Sequence, residues 1–169
     1  MSDPRAATAE AIRELAAWAA GTTASAIPRE VLARGVRVIA DDLAAIIGAR
    51  AEPEVAAFHE RVLGRSRVAE ATLFRGGRSR TDRVSAAVAN AMAADWLELD
   101  EGYRLVPCHA GLYVLPALLA EAESKNLAFG EMLRSLVLGY EIVTRVARAW
   151  KPRGLTMQSH GRYGAVGAA

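Results

Sequence analysis

Apolar residues recur at intervals of three and four along most of this chain of 169 residues, and that spacing predicts one amphipathic helix after another. Six helices are expected, over about residues 8–20, 28–48, 54–63, 82–99, 112 (or 116)–125 and 130–150. Pro28 and Pro53 fit the first turn of a helix, and Asn126 fits a C-terminal cap. The pattern predicts an all-α multi-helix bundle, organised as a single domain over residues 1–169.

Two stretches depart from the helical pattern. Residues 68–74 are too short for a stable helix and lead into the turn signal Arg75-Gly76-Gly77, so we expect an extended segment or a short strand. The last residues, from Gly164 onward, predict the start of a tightly packed helix of small residues. We therefore expect either that the chain is a fragment or that these residues dock elsewhere.

Alanines are concentrated in the fourth predicted helix, over residues 82–99, which should let other helices approach it closely. We expect this helix to be the most buried. Asp41 and Asp42 interrupt the second helix, and they predict a solvated face or a contact to a neighbouring arginine. His59 has no evident partner in the sequence and is expected at the surface.

Composition and charge argue against several classes of protein. The net charge is only +2 and the arginines are spread along the chain, which argues against a nucleic-acid-binding surface. No stretch approaches the roughly 18 uninterrupted apolar residues that a membrane span needs. The single cysteine excludes an internal disulfide framework, and no signal peptide is recognised, so we expect a soluble, cytoplasmic protein.

Polar side chains concentrate where the fourth predicted helix gives way to a loop. An acidic cluster is followed by a turn, in the order Asp95, Glu98, Asp100, Glu101, Arg104, Pro107, Cys108 and His109. Rigid elements commonly present reactive side chains from such a loop, so this stretch is the candidate site.

Several short segments occur in the order found in the MmgE/PrpD family, and the chain resembles that family over nearly its whole length. The segments are Ile27–Val31, Asp41-Asp42, Ala89–Ala91, Leu97–Gly102, His109–Pro116, Gly139–Glu141, His160-Gly161 and Gly164–Ala169. The family contains 2-methylcitrate dehydratase, cis-aconitate decarboxylase and iminodisuccinate epimerase. The resemblance implies an all-helical large domain, usually in a homodimer, and chemistry beside a carboxylate without a metal or organic cofactor.

The resemblance also implies site residues. The catalytic residues would be Asp100, His109, Glu98 and His160, and the substrate-binding residues would be Arg104, Glu101 and Gln158. His160 would replace a family histidine that falls at about residue 157 or 158. The chain departs from the family at Gly102 and Tyr103, where a threonine or histidine is usual. Family members are also much longer, so the resemblance implies that these residues are the N-terminal part of the helical domain, without the smaller α/β domain.

Chemistry supports the same residues without the family. Removing a proton beside a carboxylate needs an acid, a base and cations that hold the substrate. His109 is the natural acid or base, because an imidazole in general can gain or lose a proton near neutral pH. Asp100 or Glu98 could orient it or act as the partner base, and Arg104 could grip a carboxylate with two hydrogen bonds. The alternative is that the acids cap and solvate a helix end, Arg104 pairs with one of them, and His109 fills a turn.

Two other chemistries have little support in the sequence. Cys108 invites a nucleophile interpretation, but a lone cysteine is more often a small buried hydrophobe. No His-x-x-x-His or paired-cysteine spacing is present, so we predict no metal and no cofactor.

Two functions therefore stay open. The first is a lyase or isomerase of the MmgE/PrpD type acting on a small di- or tricarboxylate, in a homodimer or with a complementing chain. The second is a catalytically inactive helical module that serves dimerisation or forms one half of a split enzyme.

Overall fold

Helices dominate the fold, as the apolar spacing predicts. The computed structural model describes residues 3–77, 79–150 and 160–169, with only the backbone at His160. Its helices are α1 Pro4–Gly21, α2 Arg29–Ala49, α3 Pro53–Arg65, α4 Arg83–Asp95, α5 Ala110–Lys125, α6 Phe129–Ala149 and α7 His160–Ala168. A two-stranded sheet pairs β1 Ala71–Thr72 with β2 Arg80–Thr81. The predicted all-α class is confirmed.

Helix ends follow local capping chemistry. The Asp82 side chain accepts a hydrogen bond of 2.9 Å from the Ser85 amide and begins α4. Asn126 ends α5 in the left-handed region, with φ of 51°, which confirms the predicted cap. Helix α1 begins earlier than predicted because Asp3 caps it and Pro4 occupies its first turn. Helix α3 continues through Gly64 and ends at Arg65, two residues beyond its predicted end.

The small sheet is joined to α4 by one buried amide. Asn90 Oδ1 accepts a hydrogen bond of 3.1 Å from the Phe74 amide, and its Nδ2 donates one of 2.9 Å to the Thr72 carbonyl. The strands are antiparallel, with Ala71 opposite Thr81. The extended segment predicted over residues 68–74 is therefore confirmed at β1. Its partner strand, β2, was not predicted from the sequence.

The most buried helix is α5, not α4 as expected. Every residue from Ala110 to Pro116 is buried. Helix α4 packs its alanines inward but leaves Val84 67% and Val88 53% exposed, so only one of its faces belongs to the core. Alanine content indicated close approach correctly, but it did not indicate how many sides of the helix are covered.

His59 lies in the core, so its predicted surface position is wrong. Its side chain is fully buried, and Nε2 lies 3.4 Å from the Ala89 carbonyl oxygen of α4. Nδ1 has no hydrogen-bond partner among the described residues. Val55 and Val62, four residues before and three after, place position 59 on the inward face of α3.

Helix α7 packs against α5 and α6. Tyr163 is buried there, and its ring lies 6.4 Å from that of Tyr113, centroid to centroid. The small-residue helix expected after Gly164 is present and begins at residue 160. Within the described part of the chain, no helix is both long and apolar enough to cross a bilayer.

Candidate acid–base site

The candidate site lies on the loop between α4 and α5, at residues 96–109. Helix α4 stops at Asp95, four residues before its predicted end, and Glu98 adopts a left-handed backbone with φ of 51°. The Tyr103 amide donates a hydrogen bond of 2.8 Å to the Cys108 carbonyl, which closes the loop on itself. The chain is thereby directed into α5, with His109 at the residue before its first turn.

Asp100 and His109 meet across this loop. His109 Nδ1 lies 2.8 Å from Asp100 Oδ2. The Asp100 side chain is fully buried, whereas 26% of the His109 side chain is exposed. The pair thus combines a carboxyl group shielded from water with an imidazole that reaches the surface.

Glu101 is fixed from both sides. Its Oε1 accepts a hydrogen bond of 2.5 Å from the Gly111 amide in the first turn of α5. Its Oε2 accepts one of 2.8 Å from the Tyr140 hydroxyl of α6. An acid at the N-terminal end of a helix is favoured by the helix dipole, so Glu101 holds the loop against two helices at once.

Asp42 approaches the same place from α2, and its environment corrects an expectation. Asp41 is exposed, but Asp42 is fully buried and forms no ion pair with a described arginine. Gly111 allows this approach, because a β-carbon there would stand 2.5 Å from Asp42 Oδ2 and 2.6 Å from Val38 Cγ1. The predicted solvated face or arginine contact therefore holds at most for Asp41.

Burial and like charge raise the pKa of each buried acid. Burial first, and then the negative charges of Glu101 and Asp100, raise the pKa of Asp42 to about 8. Burial also raises the pKa of Asp100 and of Glu101. His109 opposes the rise at Asp100, and the Gly111 amide and the Tyr140 hydroxyl oppose it at Glu101. The site therefore holds protons more tightly than ordinary carboxyl groups would.

The other predicted site residues are scattered or fall outside the description. Glu98 is exposed, and Arg104 is exposed without a hydrogen bond or ion pair to a described residue. The His160 side chain and all of Gln158 lie outside the described residues, as does residue 157. The proposed roles of His160 and Gln158 therefore stay predictions.

Cys108 is enclosed beside the acidic cluster. It is 2% exposed, and burial raises the pKa of its thiol to about 12. A thiol held protonated at neutral pH is a poor nucleophile. This environment fits the small buried hydrophobe predicted from the sequence.

A cavity of about 350 Å³ opens between α4, α5 and α7. Its lining is mostly apolar, with Met92, Leu112 and Pro116 among the residues and Asp95 as the charged one. Asp100, Glu101 and His109 do not line it. Among the described residues, no group of three or more histidine, cysteine or acidic side chains is arranged to hold a metal ion.

The sequence did not lead us to Asp42 or Gly111 as site residues, although the apolar pattern of α2 contains a signal for Asp42. Ile39, Asp42 and Ile46 follow one another at intervals of three and four, so Asp42 occupies the buried stripe of α2. A carboxyl group on such a stripe indicates a functional or protonated acid. Gly111 gives a weaker signal, because a side chain at this position would clash with α2, which is distant in sequence.

Comparison with known proteins gives one match. No curated protein and no solved structure matches this chain. The sequence profile described as the MmgE/PrpD N-terminal domain matches residues 13–169, which include α2 to α7 and every site residue named above. The chain therefore belongs to the MmgE/PrpD family.

Proposed function

We propose that this protein is a lyase or isomerase that acts on a small di- or tricarboxylate by acid–base chemistry without a metal or organic cofactor. The observation that carries the proposal is the contact of 2.8 Å between His109 Nδ1 and Asp100 Oδ2. Membership of the MmgE/PrpD family supports the reaction class. An imidazole held by a buried carboxyl group is a common general acid or base.

In this proposal His109 transfers the proton and Asp100 orients the ring. Because Asp100 contacts Nδ1, we propose that Nε2 exchanges the proton with the substrate. The partial exposure of His109 supports this assignment, because a proton-transfer group must reach its substrate directly or through one water. Glu101 serves as the anchor that keeps the pair in register with α5 and α6, since the Gly111 amide and the Tyr140 hydroxyl engage its two oxygens.

Substrate carboxylates need cations, and the described part of the site supplies none within its buried cluster. Arg104 is the nearest basic residue along the loop, and it is exposed at the tip. We propose that it folds onto a bound carboxylate, which a two-pronged guanidinium is suited to grip. His160 and Gln158 remain proposed contributors from the segment before α7.

A second candidate is a catalytically inactive helical module that needs a complementing chain. The observation that favours it is the excess of acids in the cluster, where Asp42 lies beside Asp100 and Glu101 and only these last two interact with the imidazole of His109. A polycarboxylate would be repelled unless cations from elsewhere offset these charges. Turnover by the chain alone separates the two candidates.

The test is proton exchange at the carbon beside a carboxylate. A panel of small di- and tricarboxylates is incubated with the protein in heavy water, and proton NMR follows the loss of that signal and any product. The proposal expects exchange or turnover that His109→Asn lowers at least ~100-fold. Cys108→Ala is the control and should keep the rate, because that buried side chain has no part in the proposed chemistry. No exchange with any acid would reject an active chain and favour the second candidate.

A further inference from the structure

The carboxyl group of Asp42 has no role in the acid–base chemistry proposed above, yet it lies within the same cluster. Its side chain is fully buried, and neither oxygen has a hydrogen bond of ordinary geometry among the described residues. The Glu101 amide lies near enough to favour the charged form of Asp42, but burial opposes that form more strongly. No described lysine or arginine pairs with it. A buried carboxylate without a counter-ion is strongly disfavoured, and such groups usually take up a proton instead.

Packing brings the carboxyl groups of Asp42 and Glu101 close together beside Gly111. A β-carbon on Gly111 would lie 2.5 Å from Asp42 Oδ2 and 3.0 Å from Glu101 Oε1. Both oxygens therefore approach the same side of Gly111, and two negative charges at that separation in a buried place would repel each other strongly. A proton on Asp42 removes this repulsion.

We propose that Asp42 is a positioning residue of this site: it holds a proton in the folded chain, and loss of that proton loosens Glu101 and displaces the loop that carries Asp100 and His109. The effect on catalysis rests on the function proposed above. The effect on the loop does not rest on that function, because it depends only on the charge of Asp42 and on the contacts of Glu101.

The charged groups nearest Asp42 lie on its own helix, α2, and on the site loop. Asp41 on α2 and Asp100 and Glu101 on the loop all disfavour a second negative charge. Asp95 at the end of α4 acts in the same direction through Asp100, whereas His109 offsets the charge of both loop acids.

Two further groups adjoin Glu101 and stay neutral. Burial raises the pKa of the Cys108 thiol and of the Tyr140 hydroxyl, so neither carries charge at moderate pH. We assign the change of charge beside Glu101 near pH 8 to Asp42, because burial and the neighbouring acids raise the pKa of Asp42 to about 8.

The Gly111 amide reports on this proton directly, because it donates to Glu101 Oε1. In a ¹⁵N NMR titration from about pH 6 to about pH 9.5, its shift should follow the ionisation of Asp42. Asp42→Asn, which copies the neutral acid in shape, should abolish that titration. The matched control is Asp41→Asn, which removes the exposed neighbouring acid and should keep it.

Two results would overturn the inference: a Gly111 amide that does not titrate over this range in the unsubstituted protein, or a titration that survives Asp42→Asn. If Asp42→Asn does not fold, the carboxyl ¹³C shift of Asp42 in the unsubstituted protein gives the answer. An Asp42 carboxyl that is already ionised at pH 6 contradicts the proposal.

The same variants separate positioning from a merely structural role. If the chain is active, its rate should fall above about pH 8, and Asp42→Asn should remove this alkaline limb of the profile. Asp42→Asn variants that lose stability but keep the alkaline limb would indicate structure alone and overturn the inference. The NMR titration needs no substrate, so its failure refutes the role of Asp42, while an absence of turnover refutes only the proposed function.

Discussion

The main chain of Gly167 in α7 lies directly against the main chain of Tyr113 in α5. A β-carbon built on Gly167 would stand 2.6 Å from the carbonyl oxygen of Tyr113, and backbone at that distance cannot yield as a flexible side chain could. We expect Gly167→Ala to lower the free energy of unfolding by about 1–3 kcal/mol, because α7 must shift away from α5. Chemical denaturation followed by circular dichroism measures the change.

Gly164→Ala is the control within the same helix. No atom of a described residue lies within 4 Å of a β-carbon at that position, so alanine should be neutral or slightly stabilising there. Equal losses for the two variants would mean that the approach of α7 to α5 does not limit position 167.

The His109–Asp100 contact predicts a separable effect on stability and activity. His109→Ala should lower the free energy of unfolding by about 1–3 kcal/mol, since it leaves the buried Asp100 carboxyl without its partner. The double variant His109→Ala with Asp100→Asn should recover stability but not turnover. Denaturant unfolding and the heavy-water exchange assay measure the two effects. Asp100→Asn alone completes the cycle, and a double variant whose loss of stability equals the sum of the two single losses would show that the contact carries no coupling energy.

His59 predicts a loss of stability in acid. Burial lowers the pKa of His59 below its ordinary value of 6.5, so the unfolded chain binds that proton more tightly than the folded chain. Stability from this group is therefore present above pH 6.5 and is lost as the pH falls through and below that value. The free energy of unfolding should fall by up to ~1.4 kcal/mol per pH unit in this range.

Denaturant unfolding at a series of pH values measures that slope. His59→Gln should flatten it, while Glu54→Gln, at an exposed position of the same helix, should leave it unchanged. A slope that persists in His59→Gln would assign the acid sensitivity to another group.

The exposed face of α4 supports the expected homodimer. Val84 and Val88 are both more than half exposed, and each lines a surface cavity beside α4. Exposed apolar patches of this kind usually mark interfaces. We expect sedimentation to show a dimer, which Val88→Glu should weaken at least ~10-fold in dissociation constant. Val68→Glu is the matched control, since Val68 is 52% exposed on a loop and should not contribute. A monomer at high micromolar concentration would contradict the homodimer.

Most of the fold was predictable because helices carry their own signals. Apolar periodicity located the helices, and Asn126 marked the end of α5 with one residue. The end of α4 was not predictable in the same way. Trp96 and Leu97 continue its apolar pattern, and the chain leaves the helix there without a glycine or proline.

The site was predictable only in the part that lies on one loop. Asp100 and His109 are nine residues apart and share a turn, so their proximity could be inferred from the sequence. The contribution of Asp42 depends on how α2 packs beside α5, which no local pattern specifies. Three-quarters of the His109 side chain is covered, and this burial too depends on packing that the loop sequence does not specify.

The hydrogen bond from the Tyr103 amide to the Cys108 carbonyl divides the site loop into a fixed base and an open tip. Asp100 and Glu101 lie on one side of this closure and His109 on the other, while Arg104 and Leu105 are exposed between its ends. Residues added or exchanged at the tip would change what the loop presents to a substrate without moving the pair beneath it. The tip is therefore where relatives could diverge in substrate preference, and where a protein engineer should place a library.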